Sequence, residues 1–174
     1  VRNRFVNTGL KRALSAKPAL FFHKKASELI SVGNLEDDLN ALKDCDWVIE
    51  AVLEDLNVKQ NLFASLEAVV GEDAVISSNT SGLSIEKMLQ GRGTNFRKNF
   101  LVTHFFNPVR YLHLLEIVNG KDTALSVTER IVNCGEKTLG KGIVFGKDTP
   151  NFVANRIGVF GMMETIRLMQ EGNY

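Results

Sequence analysis

Only two cysteines, Cys45 and Cys134, occur in 174 residues, with three prolines and one tryptophan. The cysteines have no CxxC or histidine-rich spacing beside them. That excludes a disulfide framework and a Cys/His metal centre, and predicts a reducing compartment, the cytoplasm. Charge of one sign is also missing: 21 basic and 20 acidic side chains leave a net +1. There is thus no electrostatic case for nucleic acid or an acidic membrane surface as partner. No apolar run is long enough to span a bilayer, and Val1-Arg-Asn-Arg-Phe5 is no signal peptide. Repeats and low-complexity segments are lacking too. What remains, 44% hydrophobic and 24% charged, is the composition of a globular protein able to bury one real core. The chain does not begin with methionine, and is expected to start inside a longer protein.

Apolar residues Phe5, Val6, Leu10, Ala13 and Leu14 recur at helical spacing and predict a helix over 2–17, ended by Pro18. A further helix over 19–29, a short strand at 30–33 and a short acidic helix over 35–43 are expected next. The near-continuous apolar run 47–52 has the pattern of a strand covered on both faces. Asn57 and Gln60 make a capping-box-like pair opening a helix with Val58, Leu62, Leu66 and Val69 as its stripe and Gly71 as its stop. A strand over 74–77, the polar loop 78–82 and a short helix to about residue 89 follow. Strands are expected at 100–105, 114–118 and 143–145. Between the last two, a helix over 123–139 turns Leu125, Thr128, Ile131, Val132 and Leu139 inward and stops at Gly140.

Strands alternating with helices of this length predict βαβ units. The fold class is therefore α/β, a Rossmann-like, doubly wound and mainly parallel sheet, over residues 1–150. Asp148-Thr-Pro-Asn151 marks a boundary. The helix over 152–170 is apolar on more than one face and needs partners on several sides, as the start of a helical second domain, 151–174, or a dimer element would.

The most informative stretch is His104-Phe-Phe-Asn-Pro-Val-Arg-Tyr-Leu-His-Leu-Leu-Glu-Ile117. Asn107-Pro108 breaks any ladder, because proline has no N–H to donate. Antiparallel pairing of the flanking runs about that bend makes His104 and Glu116, 12 positions apart (116 − 104), neighbours. A histidine held by a carboxylate is suited to general acid–base work near neutral pH. Glu50, inside an apolar run, must meet a polar neighbour, since burying an unpaired carboxylate is costly.

Taken together, these residues resemble the L-3-hydroxyacyl-CoA dehydrogenase family, as found in multifunctional fatty-acid oxidation proteins. The resemblance covers roughly residues 44 to 169. It is carried by Asp46-Trp-Val-Ile-Glu-Ala-Val52, Ser77-Ser-Asn-Thr-Ser81, His104-Phe-Phe-Asn-Pro108, Leu115-Glu-Ile117 and Lys147-Asp-Thr-Pro-Asn-Phe-Val-Ala-Asn-Arg-Ile157. It implies oxidation of an L-3-hydroxyacyl-CoA to the 3-ketoacyl-CoA in fatty-acid β-oxidation, with NAD as cofactor and a homodimer formed through the C-terminal helical domain. It implies a catalytic set of His104, Glu116 and Asn155, cofactor contacts at Glu54, Lys59, Ser81 and Asn107, and substrate contacts at Ser81 and Asn155. His23 and His113 have no such context and read as surface or packing residues.

One departure is large. Family members begin with a strand, a GxGxxG turn and a helix, whose glycines let the backbone approach the cofactor pyrophosphate. Gly71, Gly82, Gly91 and Gly93 are spaced wrongly for that, so the chain is expected to be a middle fragment. Two alternatives stay open: a non-catalytic, crystallin-like relative, and another NAD-dependent 3-hydroxyacid dehydrogenase, for which a lysine acid–base residue is typical.

Overall fold

Five strands lie side by side in chain order: β1 (Trp47–Glu50), β2 (Val75–Ser78), β3 (Phe100–Phe105), β4 (Leu114–Asn119) and β5 (Gly142–Gly146). This is seen in a computed structural model, which describes residues 2–172. Val1, at the front of the first predicted domain, and Asn173 and Tyr174, at the end of the second, lie outside the described residues. β1, β2 and β3 run parallel, as do β4 and β5, while β3 and β4 are antiparallel. The mainly parallel, Rossmann-like sheet predicted from the alternation of elements is therefore present.

Alternation along β3 divides two cores. Phe100 and Val102 face one side with Ile76 and Val118, and pack against Phe63 and Leu66 of α2 (Leu56–Glu67), Ile85 and Met88 of α3 (Ile85–Met88), and Phe96 of α4 (Thr94–Lys98). Leu101 faces the other side with Val75, Leu115 and Ile117, against Val127 and Ile131 of α5 (Leu125–Asn133). Period-2 burial in the strands and period-3.6 burial in the helices give the two layers that cover the sheet.

Several expectations are corrected. Residues 30–33 form no strand; 19–29 hold only a 3-10 turn at Lys24–Leu29, and 35–43 only one at Leu39–Leu42. Leu39 and Leu42 rest against the first core, but Leu29, Ile30 and Leu35 stay exposed, too little burial to order a long helix or a strand. β1 ends at Glu50 and, among the described residues, pairs on one side only, so Ile49 is exposed rather than covered. The cap of α2 is Asp55, whose carboxylate accepts from Val58 N at 3.0 Å, not Asn57. α5 stops at Asn133, passes into one π turn, and leaves Leu125 exposed instead of inward. α4 has five residues, too few for a periodicity to betray it.

The first helix, α1 (Arg4–Ser15), and the last, α6 (Ala154–Gly172), bury none of their residues. The entry to α6 is unusual: Asn151 and Phe152 have φ of 65° and 43°. Left-handed backbone at two successive non-glycine residues costs on the order of 1–2 kcal/mol each. Burial of the Phe152 ring in the first core offsets that cost.

Candidate active site

The antiparallel pairing of β3 and β4 builds the centre of the site. His104 pairs across the ladder with Glu116, as the proline-interrupted bend predicts, and both are buried. His104 Nδ1 lies 2.7 Å from Glu116 Oε2. A carboxylate only accepts, so in the neutral ring the proton sits on Nδ1 and Nε2 keeps its lone pair. Nε2 faces the Ser81 hydroxyl at 3.1 Å. Phe106 and Phe152 stand against the imidazole, with ring centroids 4.4 and 5.8 Å away, and restrict its tilt.

The other Glu116 oxygen reaches a different element. Oε1 accepts from Val153 N at 3.1 Å and Ala154 N at 2.7 Å, two N–H groups at the start of α6 that lack intrahelical acceptors. One buried carboxylate thus orients the imidazole and caps the helix that carries Asn155. Asn155 lies in the first turn of α6, partly buried, and its amide makes no hydrogen bond among the described residues.

The loop after β2 brings Ser81 to the histidine. Asn79 Oδ1 accepts from Phe105 N at 2.8 Å, stitching the loop to the end of β3. Gly82 has no room for a side chain: a Cβ there would stand 2.9 Å from Asn151 N. The Thr80 hydroxyl donates to Glu54 Oε1 and accepts from Leu83 N at 3.0 Å. Ser81 N also donates to Glu54 Oε1, at 3.1 Å.

Glu54 is held in turn by Lys59, whose ammonium lies 3.3 Å from Oε2. Burial pushes the Glu54 carboxyl up, but the Thr80 hydroxyl, the Ser81 N–H and the Lys59 charge outweigh it, holding the group below its ordinary value of 4.5. Lys59 pairs more closely with Glu50, at 2.7 Å, and both side chains are essentially inaccessible. Glu50 also accepts from Val52 N at 2.6 Å and the Ser78 hydroxyl at 2.5 Å, so the acid in the apolar run has the polar neighbours its position demands.

Of the predicted set, His104, Glu116 and Ser81 are in direct contact, and Glu54 joins them through Ser81 N. Lys59 sits behind Glu54. Asn107 is exposed and lines a hollow with Phe22, Phe105, Arg110 and Lys141, on the side of the bend where Phe105 points. Sequence reasoning assigned no part to Ser78, Asn79 or Thr80. The signals for them were the unbroken polar run after an apolar strand and their place in the Ser77–Ser81 motif. His113 donates from Nδ1 to Gly140 O, and His23 caps a 3-10 turn, so neither approaches His104. Among the described residues, no group of acids, histidines and cysteines could hold a metal ion.

Residues 4–149 match the family described as "3-hydroxyacyl-CoA dehydrogenase, NAD binding domain". The chain is 46% identical over 174 residues to a Bacillus subtilis protein named "Probable 3-hydroxyacyl-CoA dehydrogenase", covering 100% of this chain and 22% of that protein. It is 46% identical over 170 residues to a Deinococcus radiodurans protein of the same name, covering 98% and 49%. The chain thus spans half or less of both. FadB2 of M. tuberculosis superposes with a TM-score of 0.80 at 36% identity, over 99% of this chain and 59% of that one. (S)-3-hydroxybutyryl-CoA dehydrogenase PaaH1 from Ralstonia eutropha superposes at 0.75 and 33% identity, over 98% and 58%.

Proposed function

The chain belongs to the 3-hydroxyacyl-CoA dehydrogenase family, and from that premise we propose that the protein, at its natural length, oxidises an L-3-hydroxyacyl-CoA to the 3-ketoacyl-CoA in fatty-acid β-oxidation. The observation that carries this is the buried His104–Glu116 contact of 2.7 Å, with the remaining imidazole nitrogen turned to the Ser81 hydroxyl.

His104 Nε2 takes the proton of the substrate 3-hydroxyl, and returns it in the reverse reaction. Glu116 keeps the Nδ1–H tautomer and faces the positive charge that forms on the ring. Ser81 holds the substrate oxygen in line with Nε2. Asn155, at the start of α6, donates its amide to substrate oxygen that gains charge. Bound NAD would supply the acceptor for the hydride that C3 loses.

The exposed groups fit the nicotinamide riboside end of that cofactor. The Glu54 carboxylate is 46% exposed and accepts from hydroxyls, and the Asn107 amide is exposed for an amide partner. Lys59 belongs to the same cofactor side. Residues 1–174 contain no GxGxxG turn for the pyrophosphate. A lysine-based hydroxyacid dehydrogenase has less support, because Lys59 is committed to two carboxylates. The apolar side chains that α6 leaves exposed, Ile157 and Phe160 among them, support a helical second domain from residue 151 and a homodimer through it. The free thiols Cys45 and Cys134 suit the cytoplasm.

In the protein at its natural length, His104→Gln is expected to cut turnover of 3-hydroxyacyl-CoA by about two to four orders of magnitude while NAD binding survives. Steady-state rates and a fluorescence titration with NADH check this. Unchanged turnover would remove His104 from the chemistry.

A further inference from the structure

Asp148 lies in the motif that joins the sheet to α6, yet the dehydrogenase reading gives it no part. Its carboxylate reaches back 63 residues to the start of α3. Both oxygens lie 3.1 Å from Ile85 N, and Oδ2 accepts from the Ser84 hydroxyl at 3.3 Å. Ser84 holds the cap position of α3 with extended backbone, but its own side chain caps nothing. The cap comes from Asp148 instead. We infer that Asp148 is a positioning residue: it pins the passage from β5 to α6 against the end of the Ser81 loop, and so keeps both Ser81 and Glu116 aimed at His104. This deepens the dehydrogenase reading and rests on it for its catalytic meaning.

The anchor is firm, because Ile85 is buried in the first core beside Met88. An N–H at a helix start has no intrahelical acceptor, so the carboxylate is its partner. Between Asp148 and Asn155 the chain meets the site at two places. Asn151 N stands where a side chain on Gly82 would be, 2.9 Å from an added Cβ. Val153 N and Ala154 N donate to Glu116 Oε1 at 3.1 and 2.7 Å. Between these contacts Asn151 and Phe152 hold left-handed backbone. Such a conformation persists only where its surroundings over-determine it. Asp148 supplies the constraint before it, and the buried Phe152 ring the one within it. Without the carboxylate, Ile85 N loses its acceptor and the passage can relax toward ordinary φ. Asn151 then backs away from Gly82, freeing the loop that holds Ser81 Oγ 3.1 Å from His104 Nε2. The two N–H groups draw off Glu116 in the same movement.

The test uses Asp148→Ala in the protein at its natural length; Asp148 is exposed, so the change opens no cavity in the core. Amide hydrogen exchange at Val153 and Ala154 should quicken about tenfold, while the amides of β3 keep their protection. The kcat should fall about tenfold, the size of effect that a small misalignment of reacting groups produces. The KM for NAD should stay at its wild-type value, because Glu54 and Lys59 lie off the displaced passage. Asp148→Asn keeps an oxygen for Ile85 N and should recover most of the lost turnover. Unchanged exchange at Val153 and Ala154 overturns the inference. So does a loss that comes as a higher KM for NAD with kcat intact, or an Asp148→Asn variant as slow as Asp148→Ala. Should Asp148→Ala fail to fold, Asp148→Leu, of the same shape without an acceptor, is measured in the same way. A protein with no turnover of any 3-hydroxyacyl-CoA would sink the dehydrogenase reading, while exchange at Val153 and Ala154 still decides the role of Asp148.

Discussion

Glu116 divides its two oxygens between an imidazole and a helix start, and Glu54 divides its own between an ammonium and a loop. In both, a single carboxylate ties two elements of the site together. For Glu54 the arrangement has a consequence in solution. Its folded carboxyl titrates below the ordinary 4.5, through the Thr80 hydroxyl, the Ser81 N–H and Lys59 working against burial. A depressed acid contributes stability that is present in full above its unfolded pKa and is lost as pH falls through the folded one. Glu54→Gln should therefore be less stable than wild type at pH 6, and the gap should narrow only as pH falls below 4.5. Urea unfolding at several pH values checks this, and a gap that stays constant would contradict it. His104 and Glu116 were legible because a proline fixes where the ladder breaks. The partner of Glu50 was not, since Lys59 alone reads as a helix-surface lysine and only the fold turns it inward.

At the scale of elements, the loop from Asn79 to Gly82 and the entry to α6 touch each other and the histidine. Gly82 allows that approach: the nearest atom to an added Cβ is Asn151 N, a backbone atom that cannot step aside cheaply. Gly82→Ala is expected to cost about 1–3 kcal/mol of stability, the usual range for overpacking a close contact. It should also lower turnover, because both Ser81 and Asn155 hang from the displaced segments. A urea midpoint and a rate matching wild type would contradict that. β3 and β4 were readable from their apolar runs, and α2 in extent but not in face. Val58, expected inward, is exposed, while Lys59 and Phe63 are buried. The cap of α6 was not readable, because it comes from Glu116, 37 residues earlier in the chain, and sequence-local capping rules cannot find it. The 3-10 turns in 19–43 also escaped, their few apolar residues mimicking strand and helix patterns.

Across the whole molecule, alternating strands and helices gave the mainly parallel sheet, and the polar loop after β2 gave the end at which ligands gather. What the alternation does not carry is coverage. The run 47–52 reads as buried on both faces, whereas β1 is an edge among the described residues and Ile49 is exposed. The His104–Glu116 pair belongs to this scale as well. Its geometry depends on β3, β4, the β2 loop and the start of α6 being assembled together, so the imidazole tautomer reports on the entire arrangement. Long-range nitrogen–proton NMR on the histidine-labelled, natural-length protein reads that tautomer directly, at a pH where imidazole is neutral. The predicted result is the His104 proton on Nδ1, with Nε2 unprotonated. A proton found on Nε2 would mean that Glu116 does not set the ring, and that no base faces Ser81.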